Sequence, residues 1–477
     1  MSKLFIVISL GFLLGCCIPR PADAQRSPVA DVPAGCSEQA PAEFVVWARK
    51  NAIPITTMEP DKGFKDLQPL KKIIGNARVV GLGESVHTAH EFHRIRHRLL
   101  QFLVEQMGFT AFAMETGFAE AVKVNDYVLG RVNEPERWQN NWFTWGLGYE
   151  EELLALVHWM RRYNDDPRHP RKLHFYGIDV AVPYSSPLTA VEGAQAYLDK
   201  VDHEYAASPG RQELLTLVQK FQGSGFSDEV EVRDISLRKY IELPVEERNA
   251  YTAAIADLLA RYRTNRTDYI DRSSVEDYEW AYHSGIAAQQ LDSAYRAAAA
   301  ATKPGSKIRG ASWSATRDSA MADNVLWALQ REGPRGRIVV WAHNTHLMKS
   351  RLRDFGPRLG LYLDSMLGRD YVNVGFTYYQ YQGAKPAWES QHEREAVNLP
   401  ASCGTLDGEL ARVGLPMFAV SLRAVPPQGA VHAWLSKPRV MRESKPEWDY
   451  RLVPLRAWDA LFFTQYITSA HGHYAPR

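Results

Sequence analysis

The chain has no excess of charge of either sign: 56 Lys and Arg stand against 55 Asp and Glu in 477 residues. That balance provides no electrostatic footprint for nucleic acid or for an anionic membrane surface. Blocks of like charge, low-complexity tracts and internal repeats are absent. Long apolar runs are missing as well. The one near the start, residues 4–14, is too short to span a bilayer as a helix, and no later segment is long enough. A small-molecule partner is therefore expected, with no nucleic acid and no membrane span; the oligomeric state is not legible. Cysteine is scarce, at four residues.

The short apolar run follows Lys3 and precedes "ADA" at residues 22–24, a small-x-small cleavage site. This reads as a signal peptide over 1–24, a mature start at Gln25 and export to the periplasm. The competing reading takes "LLGC" at residues 13–16 as a lipoprotein box, with Cys16 carrying the anchor. Cleavage after Ala24 removes Cys16 and Cys17. It leaves Cys36 and Cys403 in a compartment where disulfides persist. Their pairing is one expectation and two free thiols the other.

Several catalytic signatures are also missing. There is no G-x-S-x-G nucleophile elbow. No phosphate-binding G-x-x-x-x-G-K-[ST] or G-x-G-x-x-G follows a strand. "HEFHR" at residues 90–94 misses the H-E-x-x-H metalloprotease pattern, because Arg94 stands where the second histidine belongs. Both remaining cysteines lie outside the dense polar clusters, which argues against a thiol nucleophile.

What is present is an alternation of strands and helices. Apolar runs at 78–84, 109–116, 173–180, 337–347, 371–379 and 460–467 read as strands. Helical spacing fills 43–52, 89–107, 119–129, 151–163 and 314–330, with Gly108 stopping the second of these. Continuous apolar strands interleaved with helices imply an α/β fold with a mostly parallel central sheet covered on both faces. Between 195 and 302 the strand signal disappears and helical patterns such as 245–263 and 277–300 take over. The expected organisation is a tether at 25–42, a first part of the α/β core at 43–194, an inserted helical cap at 195–302 and the rest of the core at 303–477.

In parallel α/β sheets, ligands bind beyond the carboxyl ends of the strands. Here the first predicted strand ends in Glu84, followed by Ser85 and His87. The second ends in Glu115, the third in Asp179, and the fourth in His343 with His346 three residues on. Four apolar runs each deliver an acid or an imidazole to one edge, which a solvated surface does not explain. His87 lies in the turn before its helix. His90, Arg94 and His97 share one helical face and read as surface or packing residues, as does His93; Arg96 lies on another face, with His93. An acid–imidazole cluster without a nucleophile suits direct hydrolysis. A neutral imidazole takes a proton from water, a carboxylate fixes its tautomer, and a guanidinium or second imidazole holds the oxyanion.

At these residues the sequence resembles the erythromycin esterase family. The matching pieces are "GLGESVHTAHEFHRIRHRLLQFLVEQMGFTAFAMETG" from residue 81, "FYGIDV" from 175, "SWSATRDSAMADNV" from 312, "VVWAHNTHL" from 339 and "AWDALFFTQYITSAH" from 457. The resemblance implies an α/β core with a helical cap and a deep cleft. It also implies ester hydrolysis, in the best-known members opening the lactone of 14-membered macrolides, an antibiotic-resistance activity. Carried over, the general base falls on His87. The carboxylates that orient the base and the water fall on Glu84 and Glu115, the arginine on Arg96, and the second imidazole pair on His343 and His346. Arg317, Asp318 and Asp179 match with structural or cleft-lining roles.

No cofactor is implied, although Glu84, His87, Glu115 and His343 offer a mixed N/O set that would suit zinc or manganese and a metal-generated hydroxide. A different class also stays open: an envelope- or polysaccharide-related binding protein without turnover, with Trp138, Trp142, Trp145 and Trp313 stacking on sugars. Asp179, Arg317, Trp145 and Trp313 are the expected substrate contacts.

Overall fold

The computed structural model describes residues 38–138, 142–182, 184–222, 230–301, 311–352, 356–383, 398–443 and 449–472, without the side chains of 230–235 and 311–313. The expected signal peptide, most of the expected tether and Cys36 lie outside them. Cys403 is disulfide-bonded, and its expected partner Cys36 falls outside the described residues. Among the described residues no helix is long and apolar enough to cross a membrane.

The six strands expected from apolar runs all form and lie side by side. They are β2 (Val79–Leu82), β3 (Ala111–Gly117), β4 (His174–Asp179), β5 (Ile338–Trp341), β6 (Tyr371–Tyr381) and β10 (Ala460–Ile467). With β1 (Ile53–Pro54) and β7 (Met417–Ser421) added, the sheet order is β1-β7-β10-β6-β2-β5-β3-β4, and every pairing from β10 to β4 is parallel. The two added strands extend the β10 edge antiparallel: β7 on β10, and the two-residue β1 on β7. A separate antiparallel pair joins β8 (Arg439–Met441) to β9 (Tyr450–Leu452). The fold is the expected α/β class with a mostly parallel central sheet.

The period-2 alternation of strand side chains divides the interior into two apolar layers. Val80 and Leu82 of β2, Phe112 and Met114 of β3 and Trp341 of β5 point to one face. There they meet Phe92, Ile95, Leu99 and Phe102 of the His90–Met107 helix. Val79, Ala111, Ala113, Ile338 and Val340 point to the other, against Met321, Val325 and Ala328 of the Ala311–Arg331 helix. The strands are buried on both sides, which is why they read as uninterrupted apolar runs. The His90–Met107 helix ends where the sequence places its stop: Gly108 sits at φ 71° and its N–H returns to Leu103 and Val104.

The helical run begins at Pro187, earlier than expected, so the boundary drawn at 194/195 falls within the Pro187–Val201 helix. It continues to Ala301, with a tyrosine-rich core of its own that includes Tyr197, Tyr251, Tyr262 and Tyr278. That core also contains Phe118, Val180 and Ala320, which come from the sheet side.

Gly177 of β4, two residues before Asp179, has no room for a side chain. A Cβ on Gly177 would lie 2.4 Å from the Gly117 carbonyl oxygen and 2.6 Å from the Ala121 methyl. The obstruction is backbone and cannot rotate away. Gly177→Ala is expected to destabilise the protein by about 1–3 kcal/mol, the usual range for overpacking. A lowered denaturant midpoint at unchanged slope would show it.

Candidate active site

The four strand ends singled out in the sequence belong to four adjacent strands, β2-β5-β3-β4. Glu84, His343, Glu115 and Asp179 therefore line one edge in that order. Glu84, Glu115, Asp179 and Asp318 are nearly inaccessible, and so are Arg96, Arg317 and Arg358. Buried ionised carboxylates persist only when paired, and the pairs form two groups, one around Glu84 and one around Glu115 and Asp318.

On the β2 side, Arg96 donates to Glu84 Oε2 and lays its guanidinium 3.5 Å over the Trp341 ring. Its Nε–H donates to the Phe92 carbonyl, 3.0 Å. The other oxygen, Glu84 Oε1, accepts from His87 Nδ1 at 2.7 Å. A carboxylate accepts only, so His87 Nδ1 carries the proton and Nε2 is left for other work. Burial opposes ionisation of Glu84, but the charges of Arg96 and His87 outweigh it and hold the carboxyl at about 2.

On the β3–β4 side, Arg317 is gripped by three oxygens. Its Nε and Nη2 donate to the two oxygens of Asp179, each at 2.7 Å, and Nη2 also reaches Glu115 Oε1 at 2.6 Å. Glu115 Oε1 is in addition 3.2 Å from His346 Nε2, and Oε2 accepts the backbone N–H of His343 at 2.7 Å. His346 is bracketed from behind by Asp318, 2.8 Å from Nδ1, which Arg358 Nη1 meets at 3.1 Å. Burial disfavours charge on His346, but Asp318 and Glu115 outweigh it and raise its pKa. Glu115 was expected, with Glu84, to orient the base and the water. Among the described residues it makes no hydrogen bond to His87 and reaches that ring through its charge alone.

The segment "AHNTHL" fixes the last piece. Asn344 clamps the β6 backbone by accepting from Phe376 N–H at 3.0 Å and donating to the Phe376 carbonyl at 2.7 Å. Its own N–H donates to the Glu84 carbonyl at 2.7 Å. His343 caps the Asn344–Leu347 turn of helix, its Nδ1 accepting the Thr345 N–H at 3.2 Å. Nδ1 is thus an acceptor, and the ring's proton resides on Nε2. Burial and the charge of His87 push the His343 pKa down to about 3, so this imidazole is neutral.

His87 and His343 stand with ring centroids 5.0 Å apart. The His87 side chain is 48 % exposed while its Glu84 partner is at 5 %. His87 is thus the accessible tip of a buried cluster. Desolvation by its surroundings works against charge, yet Glu84, then Glu115 and Glu443, raise its pKa to about 9. Such a group contributes stability below its unfolded value near 6.5 and loses that contribution as pH rises through 9.

Trp145 borders the same opening. Its indole N–H donates to Asp179 Oδ2 at 2.9 Å, its ring stacks on Tyr184 at 3.7 Å, and the Arg317 guanidinium sits 5.2 Å from its centroid. The His87 ring lies 6.4 Å away and nearly parallel. Trp145 holds φ at 64°, a left-handed conformation that bulky residues rarely adopt and that the surrounding contacts must stabilise. Trp138 and Trp142, considered above as sugar platforms, pack on each other at 5.2 Å, and Trp138 also packs on Tyr127 at 5.0 Å. Trp313 belongs to the Ala311–Arg331 helix, but its side chain lies outside the described residues.

Three contributors were not anticipated. Glu443 Oε1 stands 3.8 Å from His343 Nε2. Arg358 supports Asp318. His93, read as a packing residue, is buried with Nε2 2.7 Å from the His87 carbonyl oxygen and 3.0 Å from Glu150. Glu443 lies in an irregular loop, where no periodic signal singles it out.

Fold and site together define a parallel α/β protein with a buried acid–imidazole–guanidinium cluster at the carboxyl edge of its sheet. The erythromycin esterase family model matches residues 104–466, and the chain belongs to that family, which supports a hydrolase of the macrolide esterase type. Erythromycin esterase type II of Escherichia coli is 30 % identical over 342 residues, covering 70 % of this chain and 77 % of that protein. Among solved structures, a Bacillus cereus protein superposes with a TM-score of 0.73 at 22 % identity, covering 91 % of this chain and 99 % of its own. An erythromycin esterase mutant in its open conformation gives 0.65 at 20 % identity, covering 88 % and 98 %.

The charge arrangement predicts an unusual titration. Followed by NMR, the His87 ring should titrate near 9. In Glu84→Gln it should fall back toward the ordinary histidine value of 6.5. An unchanged midpoint in that variant would remove Glu84 as the cause.

Proposed function

We propose that the protein is a carboxylic ester hydrolase that opens the macrolactone of a 14-membered macrolide such as erythromycin, inactivating the antibiotic after export to the periplasm. The observation that carries this reading is the pairing of one accessible imidazole, His87, with a buried neutral one, His343, across 5.0 Å. In its neutral form His87 Nε2 takes a proton from a water molecule. Glu84, bonded to Nδ1, holds that tautomer and stabilises the imidazolium that forms.

The water attacks the ester carbonyl directly, without a covalent intermediate. The Nε2–H of His343 then donates to the developing oxyanion, a contribution worth about 3–4 kcal/mol when such a donor is well placed. As the adduct collapses, the lactone C–O bond breaks and the proton on His87 Nε2 passes to the leaving alkoxide, which restores the neutral base. Arg96 and Glu115 act as positioning residues, the first through Glu84 and the second through the His343 backbone and Arg317. Arg317 and His346 keep Glu115 ionised, while Trp145 and Trp313 are the expected contacts for the macrolide ring and its sugars.

The reaction needs no metal in this reading. The guanidiniums of Arg96 and Arg317 already neutralise the carboxylates that a divalent ion would seek at Glu84 and Glu115. Zinc or manganese at that set would have to displace or tolerate them.

Mass spectrometry of erythromycin incubated with the purified protein tests the substrate: the product should gain one water. His87→Ala should lower turnover by about a hundred- to ten-thousand-fold, the usual range for a general base, with circular dichroism unchanged. Near-wild-type turnover in that variant would refute the assignment. Conversion of other lactones but not erythromycin would move the substrate and leave the mechanism.

Because the base must be neutral, kcat/KM should climb with pH and level off near 9, where free His87 titrates. A profile that falls over this range would make His87 an acid instead.

A further inference from the structure

One cluster of metal-ligating side chains lies outside the chemistry described so far. His90 opens the His90–Met107 helix, Glu152 is the second residue of the Glu151–Asp165 helix, and His471 lies near the carboxyl end of the chain. They are 62 and 319 residues apart, yet they converge on a single oxygen. Glu152 Oε1 accepts from His90 Nδ1 at 2.5 Å and from His471 Nδ1 at 2.6 Å. The two rings meet edge to face with centroids 4.8 Å apart. Among the described residues this is the one group of three potential ligands whose donor atoms all lie within 4.8 Å of one another.

The backbone around these three residues is already fixed. His90 N–H donates to the Thr468 carbonyl at 2.9 Å, Ala470 N–H to the Thr88 carbonyl at 2.8 Å, and Glu151 N–H to the His471 carbonyl at 3.1 Å. The His471 N–H reaches both Glu152 oxygens at 3.1 Å, and Glu91 holds Thr468 through its N–H at 2.7 Å. Gly472, at φ +75°, lets the strap pass where a Cβ would come within 2.5 Å of the Tyr149 carbonyl oxygen. Exposure is graded: Glu152 is at 3 %, His90 at 22 % and His471 at 66 %. Glu91 adds a second negative charge close to His90.

We infer that His90, Glu152 and His471 form a binding site for a divalent transition metal, most simply zinc, that clasps the C-terminal strap to the helix following His87. Two imidazole nitrogens and one carboxylate are a mixed N/O set of the kind that zinc accepts and that magnesium and calcium, which want all-oxygen shells, do not. Binding puts one cation where the two Nδ1 protons now stand: a neutral ring carries its proton on Nε2 instead, and a doubly protonated ring releases one proton to solvent. Around a tetrahedral ion the ligand atoms stand about 3.4 Å apart, from metal–ligand bonds of roughly 2.0–2.1 Å. The imidazoles must therefore draw back from Glu152, and the exposed His471 ring is free to do so. Its exposure also leaves the fourth position to water. The inference does not rest on the esterase reading of the His87 site.

The test is zinc titration of the untagged, EDTA-stripped protein, using zinc chloride and a chromophoric competitor, with thermal unfolding read alongside. One equivalent should bind in the micromolar range or tighter and raise the unfolding midpoint. His471→Ala, at an exposed position, should weaken binding by at least about tenfold and abolish the thermal shift. Glu152→Gln should do the same, whereas His343→Ala should still bind. No saturable binding in the micromolar range, or binding unaltered in folded His471→Ala, overturns the site. Loss in His343→Ala but not in His471→Ala would place the ion at the Glu84–His87–Glu115–His343 set instead.

Discussion

The grip of Arg317 on Asp179 and Glu115 is the constraint that the rest of the site depends on. Each of these groups would be costly to bury alone. Together they tie the ends of β3 and β4 to the Ala311–Arg331 helix, which follows the helical insertion in the chain. Glu115 then passes the constraint on by accepting the His343 N–H, so the end of β5 is registered against β3 by a charge and not only by sheet hydrogen bonds. Breaking one partner of such a network leaves an uncompensated ion in the interior. The positions are therefore held far more tightly than the same residues would be on a surface.

The network also separates two chemically identical side chains. His87 and His343 are neighbours, but carboxylates raise one to about 9 while burial and the neighbouring positive charge push the other down to about 3. Each effect reinforces the other, because a charged His87 makes a charged His343 less favourable. A pair of imidazoles with opposed proton affinities is what an acid–base division of labour requires. Here the division follows from the order Arg96–Glu84–His87 on one side and Thr345–His343 on the other.

Much of this was legible in the sequence because the central strands are covered on both faces. Their uninterrupted apolar runs ended at Glu84, Glu115, Asp179 and His343, and the rule that ligands sit at carboxyl ends did the rest. The edge was less legible. β1 is two residues, too short for any periodicity to read, and β7 pairs antiparallel outside the strand–helix alternation that marks the other strands. Pairings were not legible at all. That Arg317 would bind Asp179, 138 residues earlier, and Glu115, 202 residues earlier, depends on the strand order, which no local pattern encodes. The same limit hid Glu443 beside His343 and the convergence of His90, Glu152 and His471. His93 was assigned to packing, and it does pack, 5.0 Å from Trp341, but its Nε2 lies beside the His87 carbonyl as well.

The strand order also bears on how the protein comes into being during synthesis. β5 lies between β2 and β3, although more than two hundred residues of chain separate it from either. An emerging chain that holds only the first three parallel strands has a vacancy in the middle of its sheet, with Glu84 on one side and Glu115 on the other. Two apolar layers stay open until residues 338–347 arrive and β5 slots in from a distance. Contacts of such long sequence separation form late and slowly, and unpaired inner edges invite pairing with other chains in the meantime. The insertion that precedes β5 builds its own tyrosine-rich core, so a partly folded helical unit sits beside an unfinished sheet. Assembly of the acid–imidazole cluster thus coincides with the arrival of β5: the chain brings its polar groups together in the step that joins β2 to β3, with β6 and β10 still to be added.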